Sequence, residues 1–167
     1  PARRATASHE GRAIDRLRSQ AARKVTQLDV DTWHYEYAIR NVNSDRSARA
    51  FSVDFADGTP ISGVGFHDVD SHSGEPYSTA DWTPAIIPGT GTVAWSTSTF
   101  AGNPNANALR WSTMYSFWFD ADAPPWSAVH SLELFKPGSP TSVSFVFSLF
   151  SDGFGSHNLT AWSSSTP

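Results

Sequence analysis

Thirteen residues, Gly65 to Tyr77, read GFHDVDSHSGEPY and hold two histidines, two aspartates and a glutamate. Three chemistries fit such a set. Calcium takes about six to eight oxygens, and Asp68, Asp70 and Glu75 would supply carboxylates, with Gly74 at a sharp turn. The spacing departs from an EF-hand loop: His72 stands where Asp, Asn or Ser is expected, and Gly74 comes one residue late. Zinc would draw on His67, His72 and a carboxylate, yet five residues is a loose ligand spacing and no second motif pairs with it. The third reading is structural. Asp and Ser beside Gly and Pro accept hydrogen bonds from nearby N–H groups and fix irregular loops. We expect that reading, a hydrogen-bonded plug covered by Tyr77 and Trp82, and keep calcium as the sharper alternative; no other cofactor is implied.

Other chemistries leave fainter traces. Glycoside hydrolysis needs two carboxyl groups at about 5–9.5 Å. Glu36, Glu75, Glu133, Asp120 and Asp122 are available, but sequence does not pair them. No Gly-x-Ser-x-Gly nucleophile motif and no phosphate-binding glycine motif is present. Trp82, Trp126 and Trp162 lie in loop-like contexts, where an exposed ring stacks on the apolar face of a sugar; Trp82 and Trp126 are the carbohydrate-binding candidates. Asn158-Leu159-Thr160 matches the N-glycosylation triplet.

The elements that must position these groups read as strands. Tyr35, Tyr37 and Ile39 alternate with Glu36, Ala38 and Arg40 in 31–42, the period of a half-buried strand. Strands are also expected at 51–55, 61–66, 85–87, 92–97, 131–135 and 142–149. Residues 109–120 carry aromatics on both faces, from Trp111 to Phe119, which predicts a central strand. Turn signals at 43–47, 57–60 and 136–141 separate the runs. There is no alternation of strands with helices. The fold class expected is all-β, an antiparallel β-sandwich over 28–167.

Residues 1–27 are expected to differ. Ile14, Leu17, Ala21 and Val25 recur at spacings of three and four, which predicts an amphipathic helix over 10–25, with Ser8 as its N-cap. This segment is basic. Arg3, Arg4, Arg12, Arg16, Arg18, Arg23 and Lys24 face only Glu10 and Asp15 over residues 1–25, a net +5, against −9 for the rest of the chain. Nucleic acid, an anionic membrane surface and an acidic partner all suit such a helix, and docking on another protein is expected. The acidic body argues against nucleic acid, and the lack of a large aromatic wedge makes any membrane contact indirect.

The chain has 167 residues, enough for one domain with a sizeable core. It holds no cysteine, which removes disulfides, thiolate metal sites and a cysteine nucleophile. No apolar run approaches the ~20 residues of a spanning helix. The chain opens on Pro1 rather than Met, so any export signal or anchor is expected upstream of it.

Several stretches resemble an uncharacterised type of secreted bacterial β-sandwich domain: WHYEY at 33–37, NVNSDR at 41–46 and FHDVDSHSGEPY at 66–77. NPNANALRW at 103–111, FDADAPP at 119–125 and LFKPG at 134–138 follow in the same order. The resemblance spans roughly 28–145. It implies a sandwich fold and an extracytoplasmic location (periplasm, cell surface or secreted), and assigns no activity. The function expected is non-catalytic: a structural or accessory subunit that binds other proteins of a larger assembly, attached partly through the basic segment. The alternative is a carbohydrate-binding module, stabilised by calcium. A hydrolase using Glu75 comes third.

Overall fold

The computed structural model describes residues 19–125 and 128–147. These residues form β1 (Ser19–Gln27), β2 (Trp33–Asn41), β3 (Ala48–Asp54), β4 (Ile61–His67), β5 (Thr83–Ile87), β6 (Thr92–Ser96), β7 (Met114–Ala121), β8 (Val129–Leu134) and β9 (Ser142–Phe145). All pairings are antiparallel. One sheet has the order β1-β2-β7-β4 and the other β5-β6-β3-β8-β9.

The alternation read from the sequence sets the inner faces. Tyr35, Tyr37 and Ile39 of β2 are buried, as are Phe51 and Val53 of β3 and Tyr115, Phe117 and Phe119 of β7. Register places Tyr35 opposite Phe119, Tyr37 opposite Phe117 and Ile39 opposite Tyr115. The second sheet answers with Phe51 and Trp95. Phe117 lies 5.0 Å from the Phe51 ring and 5.3 Å from Trp95, tilted and edge-on, which suits the ring quadrupoles. The core is therefore an aromatic layer between two sheets. Burial pushes the Tyr35 hydroxyl up to about 12, and it donates to Ala123 O at 2.6 Å.

On the outer face, Trp118 of β7 lies flat across Gly65 of β4. A Cβ at Gly65 would fall 2.1 Å from the indole. Gly65→Ala therefore has to lift Trp118 off the sheet. The expected cost is about 1–3 kcal/mol, the usual range for overpacking, read as a lower denaturant midpoint with an unchanged slope. An unshifted midpoint would mean that the indole does not rest there.

The helix expected over 10–25 is corrected where the structure describes it: residues 19–27 form β1. They pair with β2 along its whole length, Ser19 opposite Asn41 through Gln27 opposite Trp33. The error has a physical source. Leu17, Ala21 and Val25 are spaced by four, which is close to one helical turn and also a multiple of the strand repeat of two. Nine residues also gain little from an isolated helix and a full ladder from the open edge of β2. The boundary expected at residue 27 falls inside the sandwich accordingly. The rest of the expected helix, residues 10–18, lies outside the described residues.

The strand expected from residue 109 begins only at Met114. Leu109 makes an isolated bridge to Ala48, and Thr113 N donates to Arg110 O at 3.1 Å, closing a turn. That turn takes Trp111 out of the sheet. Among the described residues, no helix is long and apolar enough to cross a membrane.

Candidate functional site

The loop that follows β4 is tied down by one residue outside it. Asn107 is fully buried. Its Nδ2 donates to the Asp68 carboxylate and to Ala80 O at 2.9 Å. Its Oδ1 accepts from the Tyr115 hydroxyl at 2.6 Å and from His72 Nε2 at 3.2 Å. Nε2 also lies 3.1 Å from Ser78 O, so two oxygens face it and it carries the proton. The backbone carbonyl of Asn107 accepts from the Trp82 indole N–H. Both donors and the acceptor oxygen of this amide are used. The loop is hydrogen-bonded, but only the bond from Ser73 N to Ser71 Oγ is of the kind expected from its composition; Asp68 and His72 turn instead to Asn107, outside the loop.

The metal alternatives find no support in this geometry. Among the described residues, no three His, Asp or Glu side chains gather as a metal would need. Asp68 is engaged by Asn107, and Asp70 and Glu75 do not join it in such a group. His72 is held within the plug, while His67 ends β4 opposite Ser116.

Trp82 is also corrected. It is 1% exposed and stacks on Phe66 at 5.8 Å, so it belongs to the core and presents no face to a sugar. Its loop position misled, because this loop folds back over the sandwich end. Trp126 lies outside the described residues. Among the described residues the exposed indole is Trp111, 71% accessible. Period-two alternation had placed it on the central strand. The turn at 110–113, with Ser112 at φ 67°, is what releases it.

Trp111 borders a cleft of about 440 Å³. Glu75 and Tyr77 from the plug loop form one wall, Asn43 to Asp45 and Ser47 from the β2–β3 turn another, and Arg110 and Lys136 complete it. The plug thus positions two residues of the cleft. Arg110 is held rigidly: its guanidinium lies 3.9 Å from the Tyr77 ring centre and 4.8 Å from that of Phe135. Its Nη2 donates to Pro104 O at 2.9 Å and Ala106 O at 3.0 Å. Burial lowers its pKa, opposed chiefly by Tyr77. Lys136 Nζ meets Asp45 at 2.7 Å. Within this lining, Ser44 Oγ and Arg110 Nε are buried with no hydrogen-bond partner among the described residues.

Four of the carboxylates considered for hydrolysis are engaged by other side chains. Glu36 is bound by Lys24 at 2.8 Å, Glu133 by Arg49 at 2.6 Å and Asp120 by His34 at 2.6 Å. Asp122 accepts from Thr32 Oγ1 at 2.7 Å. The Lys24 bond also holds Glu36 below the usual carboxylate range.

Of the basic residues expected to grip a partner, Arg3, Arg4, Arg12, Arg16 and Arg18 lie outside the described residues. The other two are engaged within the chain. Lys24 is paired with Glu36, and Arg23 donates to Pro125 O at 2.8 Å while lying 4.9 Å from the Phe147 ring centre.

No family model matches this sequence, and no curated protein does. Among solved structures, the chain is similar to an inactive mutant of the GH20 exo-β-N-acetylglucosaminidase from Vibrio harveyi. The identity is 12%, the TM-score 0.42, and the match covers 78% of this chain and 18% of that one. A likeness of this order bears on neither activity nor ligand.

Proposed function

We propose that this domain is a non-catalytic, extracytoplasmic binding module and that it takes a saccharide in the cleft beside Trp111. The observation that carries the reading is the 71% exposed indole of Trp111 at the rim of a polar cleft, where the other described aromatics are buried or half-buried. An exposed indole at the edge of a concavity offers a flat apolar face on which a ring can stack. A pyranose offers an apolar C–H face to the ring and a rim of hydroxyls. Glu75, Asp45, Lys136 and Asn43 stand around the cleft as hydrogen-bonding groups for those hydroxyls. Rigid placement of Arg110 and Tyr77 limits the ordering that binding would require.

Binding is favoured over hydrolysis by the same geometry. A glycosidase acid needs a carboxyl withdrawn from water. The Asp45 side chain is 80% exposed and ion-paired, and Glu75 is exposed. The reading as an assembly subunit held by its basic segment rests mostly on residues outside the described ones; of the two described, Arg23 and Lys24, each has a partner within the chain.

A glycan array followed by titration of the best ligand provides the test. Trp111→Ala is expected to weaken binding at least tenfold while leaving the unfolding free energy within about 0.5 kcal/mol, as for an exposed side chain. Binding indifferent to Trp111, or no saccharide bound at all, would reject the assignment. Turnover of a saccharide that disappears in Glu75→Gln would replace it with hydrolysis.

A further inference from the structure

A second cavity adjoins the saccharide cleft. Among the described residues β1 stands at the edge of one sheet and β9 at the edge of the other, and these two edges do not pair with each other. The sandwich gapes between them into a cavity of about 380 Å³. Its lining is chiefly apolar: Ile39 and Leu132 deep inside, then Leu134, Phe145 and Phe147. Val143 and Val146 line it as well, 41% and 68% exposed, so that side of the cavity meets water.

Ser44 and Ser47 line both this cavity and the polar cleft. The two spaces therefore share a wall. The wall is built by Asn41, whose Oδ1 accepts from Ser44 N at 2.7 Å and whose Nδ2 donates to Ser44 O at 2.8 Å. Every polar side-chain atom of Asn41 is thus used, also toward Leu109 O at 3.0 Å. Ser44 Oγ is the exception. Its residue is 3% exposed, and the hydroxyl has no partner among the described residues. A buried hydroxyl without a partner is costly, and turning its rotamer toward the shared wall would bring it to a ligand hydroxyl lying there.

We propose that the two cavities form one site for a sugar-headed amphiphile: the saccharide occupies the cleft beside Trp111, and a single alkyl chain passes the Ser44–Ser47 wall into the seam between β1 and β9. The polar and apolar halves of the ligand match adjoining polar and apolar spaces of the protein. Each volume falls in the range of small-molecule sites, and the seam has the mostly apolar lining of one. This inference rests on the saccharide reading and specifies its ligand class.

The experiment titrates the whole chain with octyl glycosides below their micelle concentrations, and with methyl glycosides of the same sugars. Each methylene moved from water into an apolar cavity favours binding about fourfold, so the octyl form is expected to bind at least tenfold more tightly, one per chain. Val143→Lys, at the exposed β9 edge, is expected to erase that advantage and leave methyl glycoside binding unchanged. Ser44→Ala is expected to weaken octyl glycoside binding with an unchanged or higher unfolding midpoint, because it removes an unpaired buried hydroxyl. Equal affinity for octyl and methyl forms overturns the amphiphile and leaves the saccharide reading standing. An octyl advantage that survives Val143→Lys overturns the placement of the chain. Failure of both glycoside series to bind overturns both readings.

Discussion

Exchange of Asn107 for alanine is expected to lower the unfolding midpoint by on the order of 10 °C, the largest loss foreseen for one substitution in this chain. The side chain is fully buried, and its amide serves four groups, three from the loop between β4 and β5 and one from β7. Alanine leaves the Asp68 carboxylate without this donor and removes a bond from the Ala80 carbonyl. The losses are unequal. Tyr115 keeps a bond to Ala108 O at 3.0 Å and His72 keeps Ser78 O at 3.1 Å, so both retain a partner. Deleting one side of two or three buried hydrogen bonds, one to a charged group, costs about 3–5 kcal/mol. Asn107→Asp is expected to be no milder, because it sets a second carboxylate against Asp68.

The same variant connects stability to the site. Glu75 and Tyr77 belong to the loop that Asn107 fastens, and they wall the cleft. Loss of the amide is therefore expected to expose amides 68–82 to hydrogen exchange more than those of β2 and β7, and to weaken saccharide binding alongside. A loss of stability below about 1 kcal/mol, or uniform exchange across the sandwich, would show that the loop holds itself without this residue.

That Asn107 was invisible in the sequence while the plug was not is instructive. Asp68, Ser71 and Gly74 announce an irregular, self-bonded loop through composition alone. Asn107 sits 39 residues from Asp68 in a polar run of Asn and Ala, and nothing local distinguishes it from Asn103 or Asn105. Long-range pairing of a loop with a loop leaves no period to read. The strands were legible for the opposite reason: burial of one face imposes period two on Tyr35–Tyr37–Ile39 and on Tyr115–Phe117–Phe119. The rule failed where two causes share one spacing. Ala21 and Val25 satisfy a helix and a strand equally, and only the free edge of β2 decides between them. Trp111 was missed because alternation runs on through the turn that interrupts the strand, although Asn103 to Arg110 is rich in turn residues. Trp82 shows the converse: loop position says little about exposure once the loop folds over an end of the core.

Acidification is expected to weaken the sandwich through His130. This residue of β8 is fully buried, with Nε2 3.0 Å from the Tyr37 hydroxyl. The rings of Phe145 and Phe147 lie 5.4 Å and 4.9 Å from it, and Phe51 6.4 Å away. Burial, and next the positive charge of Arg23, lower its pKa to about 4; the Phe145 backbone and then Asp54 act in the other direction more weakly. An unfolded histidine titrates near 6.5. Between those values the unfolded chain binds the proton and the folded chain does not. Stability is therefore whole above about pH 6.5, falls as the pH drops toward 4, and loses about 3 kcal/mol from this group by pH 4. Carboxylates also titrate at the acid end, so the test is a comparison. His130→Gln keeps an acceptor for Tyr37 and removes the titrating ring. Urea unfolding from pH 7 to 4 is expected to show a shallower decline in the variant, although it starts from a lower stability at pH 7. Parallel profiles would mean that His130 takes up its proton while folded, and that the aromatic layer around it admits charge.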